Sequence, residues 1–192
     1  MDKPFVVLFG GVPGTSKSII AHHLSCTYHL PIYANDTLRF EIREDMMIDN
    51  NLDPELVVEF EKRNQQRRQT MLSGKKPIIF DNSVDRSWAK QKRELTNAGY
   101  NWYLINMELS RPFLTQLFHP TGRIKFADRI DYYLKEHEQF IAKHSNDISL
   151  NVTDNTFRNR LHHCETGLQT FIDSLQTQTE TELVLNSIPA NA

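Results

Sequence analysis

Apolar positions along the chain fall into two rhythms that alternate from the first residues onward. Phe5-Val6-Val7-Leu8-Phe9 is continuously apolar, as a strand buried on both faces must be. Comparable short runs recur at Pro31-Ile32-Tyr33-Ala34, Lys76-Pro77-Ile78-Ile79-Phe80-Asp81 and Trp102-Tyr103-Leu104-Ile105-Asn106-Met107, with a briefer one from about Ile148 to Val152. Between them the spacing changes to three and four. Residues 17–28 read as helix, and Leu38, Ile42 and Met46 share one face of a helix expected from Asp36 to Met47. Leu56, Val57, Phe60, Met71 and Leu72 anchor a longer charged helix over 54–72, with Asp53 as cap, Pro54 at its start and Gly74 at its stop. Trp88, Leu95 and Ala98 mark a helix over about 86–98, ended by Gly99. Ser110-Arg111-Pro112 opens a short helix that His119-Pro120-Thr121-Gly122-Arg123 breaks. Ile130, Tyr133, Leu134, His137 and Ile141 then form one amphipathic stripe, and Phe157, Leu161, Cys164, Leu168, Phe171 and Leu175 form the last.

Strands alternating with helices predict an α/β chain: a parallel sheet of roughly five strands with helices on both faces. No linker or repeat interrupts the pattern, so one domain is expected over 1–176. Residues 177–192 offer little to bury beyond Leu183-Val184-Leu185 and are expected to form a loosely docked polar tail.

The first strand runs directly into Gly11-Val12-Pro13-Gly14-Thr15-Ser16-Lys17-Ser18, and a helix follows at once. Strand, glycine-rich turn and helix form the context in which backbone N–H groups converge on nucleotide phosphates. Lys17 would neutralise the phosphate charge and the Ser18 hydroxyl would reach a Mg²⁺ ion. Ser16 stands where this motif usually has its second glycine. Its Cβ is harmless at negative φ and costly at positive φ.

Composition narrows the partners. The formal net charge is −2, so no overall basic field draws nucleic acid or an anionic membrane. No apolar run approaches the ~20 residues of a membrane span, and no secretion signal opens the chain; a cytoplasmic protein is expected. Cys26 and Cys164 fall in helical patterns and are expected to be reduced core residues. His22-His23 and His162-His163-Cys164 lack the spaced partner pair that a metal site needs.

Three further constellations carry chemistry. Asp81 ends an apolar strand, where open α/β sheets place their ligands and where an acid can hold a Mg²⁺ shell. Asp36 follows the second strand in Asn35-Asp36-Thr37-Leu38-Arg39; it could take a proton from an attacking hydroxyl, or simply cap the helix. Arg39 and Arg43 lie one turn apart beyond it, facing the expected acceptor, while Arg123, Lys125 and Arg129 lie at the break near 119–130, where a closing lid is expected. Guanidinium groups there would stabilise charge on a transferring phosphoryl group.

The succession Gly11-Val12-Pro13-Gly14-Thr15-Ser16-Lys17-Ser18, Asn35-Asp36-Thr37-Leu38-Arg39 and Ile78-Ile79-Phe80-Asp81-Asn82-Ser83 resembles the P-loop small-molecule kinases related to zeta toxin, chloramphenicol phosphotransferase and 2-phosphoglycerate kinase. The resemblance covers roughly residues 4–155. It implies a three-layer P-loop NTPase fold with a helical lid, ATP with Mg²⁺ as phosphoryl donor, and a small-molecule acceptor phosphorylated on a hydroxyl or phosphate. It places Asp36 at the acceptor hydroxyl, Arg39 beside it and Asp81 at the third strand. Two positions depart: Ser16, and Gln116-Leu117-Phe118-His119 where an arginine-rich helix end is usual, leaving Arg123 or Arg129 as the candidate lid arginine. Two other readings stay open. Lys62, Arg63, Arg67, Arg68, Lys75 and Lys76 form a local basic stretch that a polynucleotide or RNA end kinase could use, although no interleaved aromatic would stack bases, and a solvated helix face accounts for it more simply. A catalytically silent nucleotide-binding module would tolerate both departures.

Overall fold

The computed structural model describes residues 3–47, 53–118 and 128–187. Its elements follow in the order β1 (Phe5–Gly11), α1 (Lys17–Tyr28), β2 (Ile32–Ala34), α2 (Asn35–Met46), α3 (Pro54–Ser73), β3 (Ile78–Ser83), α4 (Trp88–Asn97), β4 (Asn101–Glu108), α5 (Arg111–Phe118), α6 (Ile130–His144), β5 (Leu150–Thr153) and α7 (Arg160–Ser187). The strands form one five-stranded sheet in the order β2-β3-β1-β4-β5, and every pairing is parallel. β1 is central and every residue in it is buried, which is why its sequence is apolar without alternation.

Alternation instead decides which face each side chain joins. Phe5, Val7 and Phe9 pack with Ile20 and Leu24 of α1, Leu114 of α5 and Leu168 of α7. Val6 and Leu8 pack on the other face with Ile42 of α2, Phe60 of α3, Trp88 and Leu95 of α4, and Phe140 of α6. The result is the three-layer arrangement expected from the sequence. Close contact with β4 requires Gly167 in α7, since a Cβ there would overlap the Tyr103 hydroxyl.

Local details differ from the sequence expectation for physical reasons. α2 starts at Asn35 with Ala34 in the capping position, so Asp36 is a first-turn acid at the positive helix end rather than a cap. α7 continues through 177 to Ser187 instead of giving way to a tail. No glycine or proline interrupts it between Gly167 and Pro189, and Thr177, Thr179 and Thr181 donate to the carbonyls of Asp173, Leu175 and Thr177. Cys164 is buried as expected, whereas Cys26 is exposed. The basic stretch is also only partly a solvated face. Arg63 bonds to Asp45 and Glu59, Arg67 to Glu41, and Arg68 is buried against Glu94. Among the described residues no helix is long and apolar enough to cross a membrane.

Candidate active site

β1 delivers the glycine-rich turn at the carboxyl edge of the sheet. Gly11 has φ 121° and Gly14 φ 84°, conformations open to glycine at little cost. A Cβ on Gly11 would lie 2.6 Å from the Cβ of Met107, so glycine is required there for space as well. Ser16 adopts φ 70°, ψ 20° in the left-handed region. The departure from glycine therefore costs about 1–2 kcal/mol of backbone strain. Its carbonyl nevertheless starts α1, accepting from the N–H groups of Ile19 and Ile20.

Lys17 folds back over the turn. Its Nζ donates to the carbonyls of Gly11 at 2.7 Å and Val12 at 2.8 Å, while the buried Thr15 hydroxyl ties to Val12 O at 2.8 Å. Burial lowers the Lys17 pKa to about 8, against the opposing pull of Asp85 and Asp81. An ammonium held by carbonyl dipoles and short of a full counter-charge is ready for an anion.

Pairing of β2 with β3 sets Ala34 opposite Asp81, so Asp36 emerges beside that acid. Ser18 Oγ donates to Asp81 Oδ1 at 3.1 Å, which brings together the two residues predicted to hold the metal. Asp81 lies within β3 rather than at its last residue. Burial raises its pKa and Asp36 adds to the rise, opposed by the Ser18 hydrogen bond, His22 and Lys17. These residues line one cleft of about 400 Å³ that also includes Pro13, Gly14, Ser16, Asn35 and Arg39. Arg39 lies over the Phe60 ring at 3.9 Å. Arg43, one turn on, does not line this cleft. A hydroxyl and a carboxylate at a helix start beside a glycine-rich turn form an oxygen donor set suited to Mg²⁺, so the residues fit that ion.

The other flank of the loop is supported by a pair that sequence reasoning did not assign. Asp85 accepts from Gly11 N at 3.0 Å, from Ser83 Oγ at 3.0 Å and from His137 Nδ1 at 2.9 Å. A carboxylate only accepts here, so Nδ1 carries the proton. Burial would raise the Asp85 pKa, but the His137 hydrogen bond and charge, Gly11 N–H and Lys17 together hold it below the ordinary range. His137 is buried on α6, and its Nε2 has no partner. A histidine on an otherwise apolar stripe was the available signal.

Arg129 is placed on this second flank. It lies over the rings of Tyr132 and Tyr133 at 5.2 and 5.6 Å and lines a hollow of about 380 Å³ with Gly11, Val12, Asp85 and Arg86. The structure thus does not bring it to the cleft that holds Asp36. Arg86 is bound there to Glu136 at 2.6 Å. Arg123, Lys125 and most of the expected lid near 119–130 lie outside the described residues.

No protein-family model matches the chain, and no curated protein does. Solved structures do resemble it in fold. A putative kinase from Chloroflexus aurantiacus J-10-fl superposes with a TM-score of 0.61 at 16% identity, over 92% of this chain and 98% of that one. A gluconokinase from Sinorhizobium meliloti 1021 gives 0.54 at 16%, over 93% and 99%. Shikimate kinase from Aquifex aeolicus gives 0.52 at 13%, over 86% and 99%. At these identities the likeness establishes the fold alone, which the chain shares with these kinases.

Proposed function

We propose that the protein is a cytoplasmic P-loop kinase that transfers the γ-phosphoryl group of Mg-ATP to a small-molecule acceptor. The observation that carries this reading is the single cleft in which the phosphate loop, Lys17, Ser18, Asp81, Asp36 and Arg39 converge. A turn that served only to join β1 to α1 would have no need of an acid pair across the cleft.

In this reading Lys17 leaves the carbonyls of Gly11 and Val12 and turns to the phosphates, where charge-assisted hydrogen bonds are stronger. Loop N–H groups from Gly14 onward hold the phosphate oxygens, since Gly11 N–H is committed to Asp85 and Pro13 has none to give. Ser18 and Asp81 hold Mg²⁺, which when bound neutralises charge on the phosphate oxygens. Asp36 accepts the acceptor hydroxyl proton, and Arg39 stabilises the equatorial oxygens. Kinship with zeta toxin, chloramphenicol phosphotransferase and 2-phosphoglycerate kinase remains part of this proposal. It is supported by the placement of Asp36, Arg39 and Asp81 around one cleft.

The test is Asp36→Asn. It removes basicity with almost no change of shape and should slow transfer by ~10²–10⁴-fold with ATP affinity within a small factor. Wild-type transfer at unchanged melting temperature would remove Asp36 as the base. Mg-ATP binding without turnover against any acceptor would favour the silent module.

A further inference from the structure

Asn35 and Asn82 line both this cleft and a second hollow, of about 560 Å³, between α3 and α4. Its size falls in the ~300–1,000 Å³ range of small-molecule sites. Its lining is unusual. Six amides contribute: Asn35, Asn64, Gln65, Gln69, Asn82 and Gln91. An amide carries a donor end and an acceptor end, which matches a hydroxyl group, itself both donor and acceptor; of the six, Asn64 already accepts from the Tyr33 hydroxyl at 2.7 Å.

Two of the amides are incompletely bonded. Gln91 is only 6% exposed; its Nε2 donates to Ser87 Oγ at 2.7 Å, while its Oε1 has no donor. Asn82 Oδ1 is likewise buried without a partner. Buried acceptors in this state favour a ligand that brings O–H donors.

The charges around the hollow argue against an anionic occupant. Arg68 is buried and bound to Glu94 at 2.6 Å, and Lys90 is balanced by Glu61 on the same lining, so formal charge cancels. Aromatic surface for a base is also missing. Phe60 is the only aromatic among the described lining residues; it is 6% exposed and covered by Arg39.

From this lining we infer that the acceptor is a neutral, hydroxyl-rich molecule, a polyol or sugar, whose body lies between α3 and α4 while one hydroxyl reaches Asp36. The inference rests on the kinase reading above. In the reaction the bond from the γ-phosphorus to the bridging oxygen of ATP breaks, and a bond from that phosphorus to the acceptor hydroxyl oxygen forms. The hydroxyl proton passes to Asp36 and ADP leaves with the bridging oxygen.

The experiment is saturation-transfer NMR on the full chain with alditols, aldoses and inositol, against glucose 6-phosphate, adenosine and a 5′-hydroxyl oligonucleotide, followed by phosphorus NMR with Mg-ATP. A neutral member should bind without nucleotide and become a phosphomonoester. Gln91→Leu should weaken its binding about tenfold and Gln65→Ala about threefold, the loss of one hydrogen bond each. Gln65 is exposed on α3, so that variant stays informative if Gln91→Leu melts early. Preference for the phosphorylated sugar, adenosine or the oligonucleotide overturns the inference, as does failure of every neutral member or binding indifferent to both substitutions. If Mg-ATP binding that depends on Lys17 persists in those cases, only the acceptor class is wrong. If it is absent, the kinase reading falls and the inference with it.

Discussion

The cleft at the glycine-rich turn and the hollow between α3 and α4 meet at Asn35 and Asn82, which line both, and the two ends are made of different material. The loop is backbone held from beneath: Thr15 is buried under it, and Asp85, just past the end of β3, pins Gly11 N–H. The hollow is made of long polar side chains on helix surfaces, several of them exposed. One end is built into the sheet, and the other is laid over it. Substitutions in the support beneath the loop should therefore act through folding, and substitutions in the hollow through recognition.

Asp85→Ala should show the largest effect on stability. Removing one partner of a buried, hydrogen-bonded pair costs about 3–5 kcal/mol, here leaving His137 Nδ1 and Gly11 N–H unmatched. Because the folded Asp85 pKa is depressed, its contribution is complete above the ordinary carboxylate range and lost as pH falls through the folded value. Urea titration should give a flatter acid limb in the variant. An unchanged midpoint would mean that the loop needs no support from that flank.

Next in size is a pH effect on nucleotide affinity. Lys17 has its pKa lowered to about 8, and phosphates would raise it again, so binding takes up a proton above that pH. Affinity should fall by up to about tenfold per pH unit above 8, toward the ordinary lysine value. Calorimetry in buffers of different ionisation enthalpy reads the proton uptake. The same affinity at pH 7 and 9.5 would contradict the lowered pKa of Lys17.

This contrast also explains what the sequence made readable. The loop was legible because backbone geometry needs particular residues at fixed spacing, and the strand and helix around it are signalled by apolar period. Asp36 and Asp81 could be singled out because strand ends on such sheets have a fixed place, and the structure sets both on one cleft. The hollow was not legible. Asn64, Gln65, Arg68 and Gln69 read as a polar helix face, and only the placement of α3 opposite α4 sets them around one hollow. Asp85 with His137 needed contact across 52 residues, which no local pattern records. Arg129, expected at the transferring phosphoryl group, lines the hollow on the other flank of the loop with Gly11, Val12 and Pro13, over two tyrosine rings.

Ser16→Gly should stabilise the fold by about 1 kcal/mol, because φ 70° strains a residue with a Cβ. A lower melting temperature would show that the serine side chain compensates for its strain. The smallest effect belongs to the hollow. Gln65→Ala should change stability by less than about 0.5 kcal/mol while acting on acceptor binding alone. A large loss of stability there would erase the distinction between the two ends.

The central claim is that this turn binds nucleotide phosphates through Lys17. Titrating Mg-ATP into wild type and Lys17→Ala by calorimetry tests it most directly. The account predicts one site in the wild type and a loss on the order of 100-fold in the variant, since a charged hydrogen bond is worth about 1.5–3 kcal/mol, with the melting temperature of the free protein little changed. Equal affinity in the two proteins would contradict it.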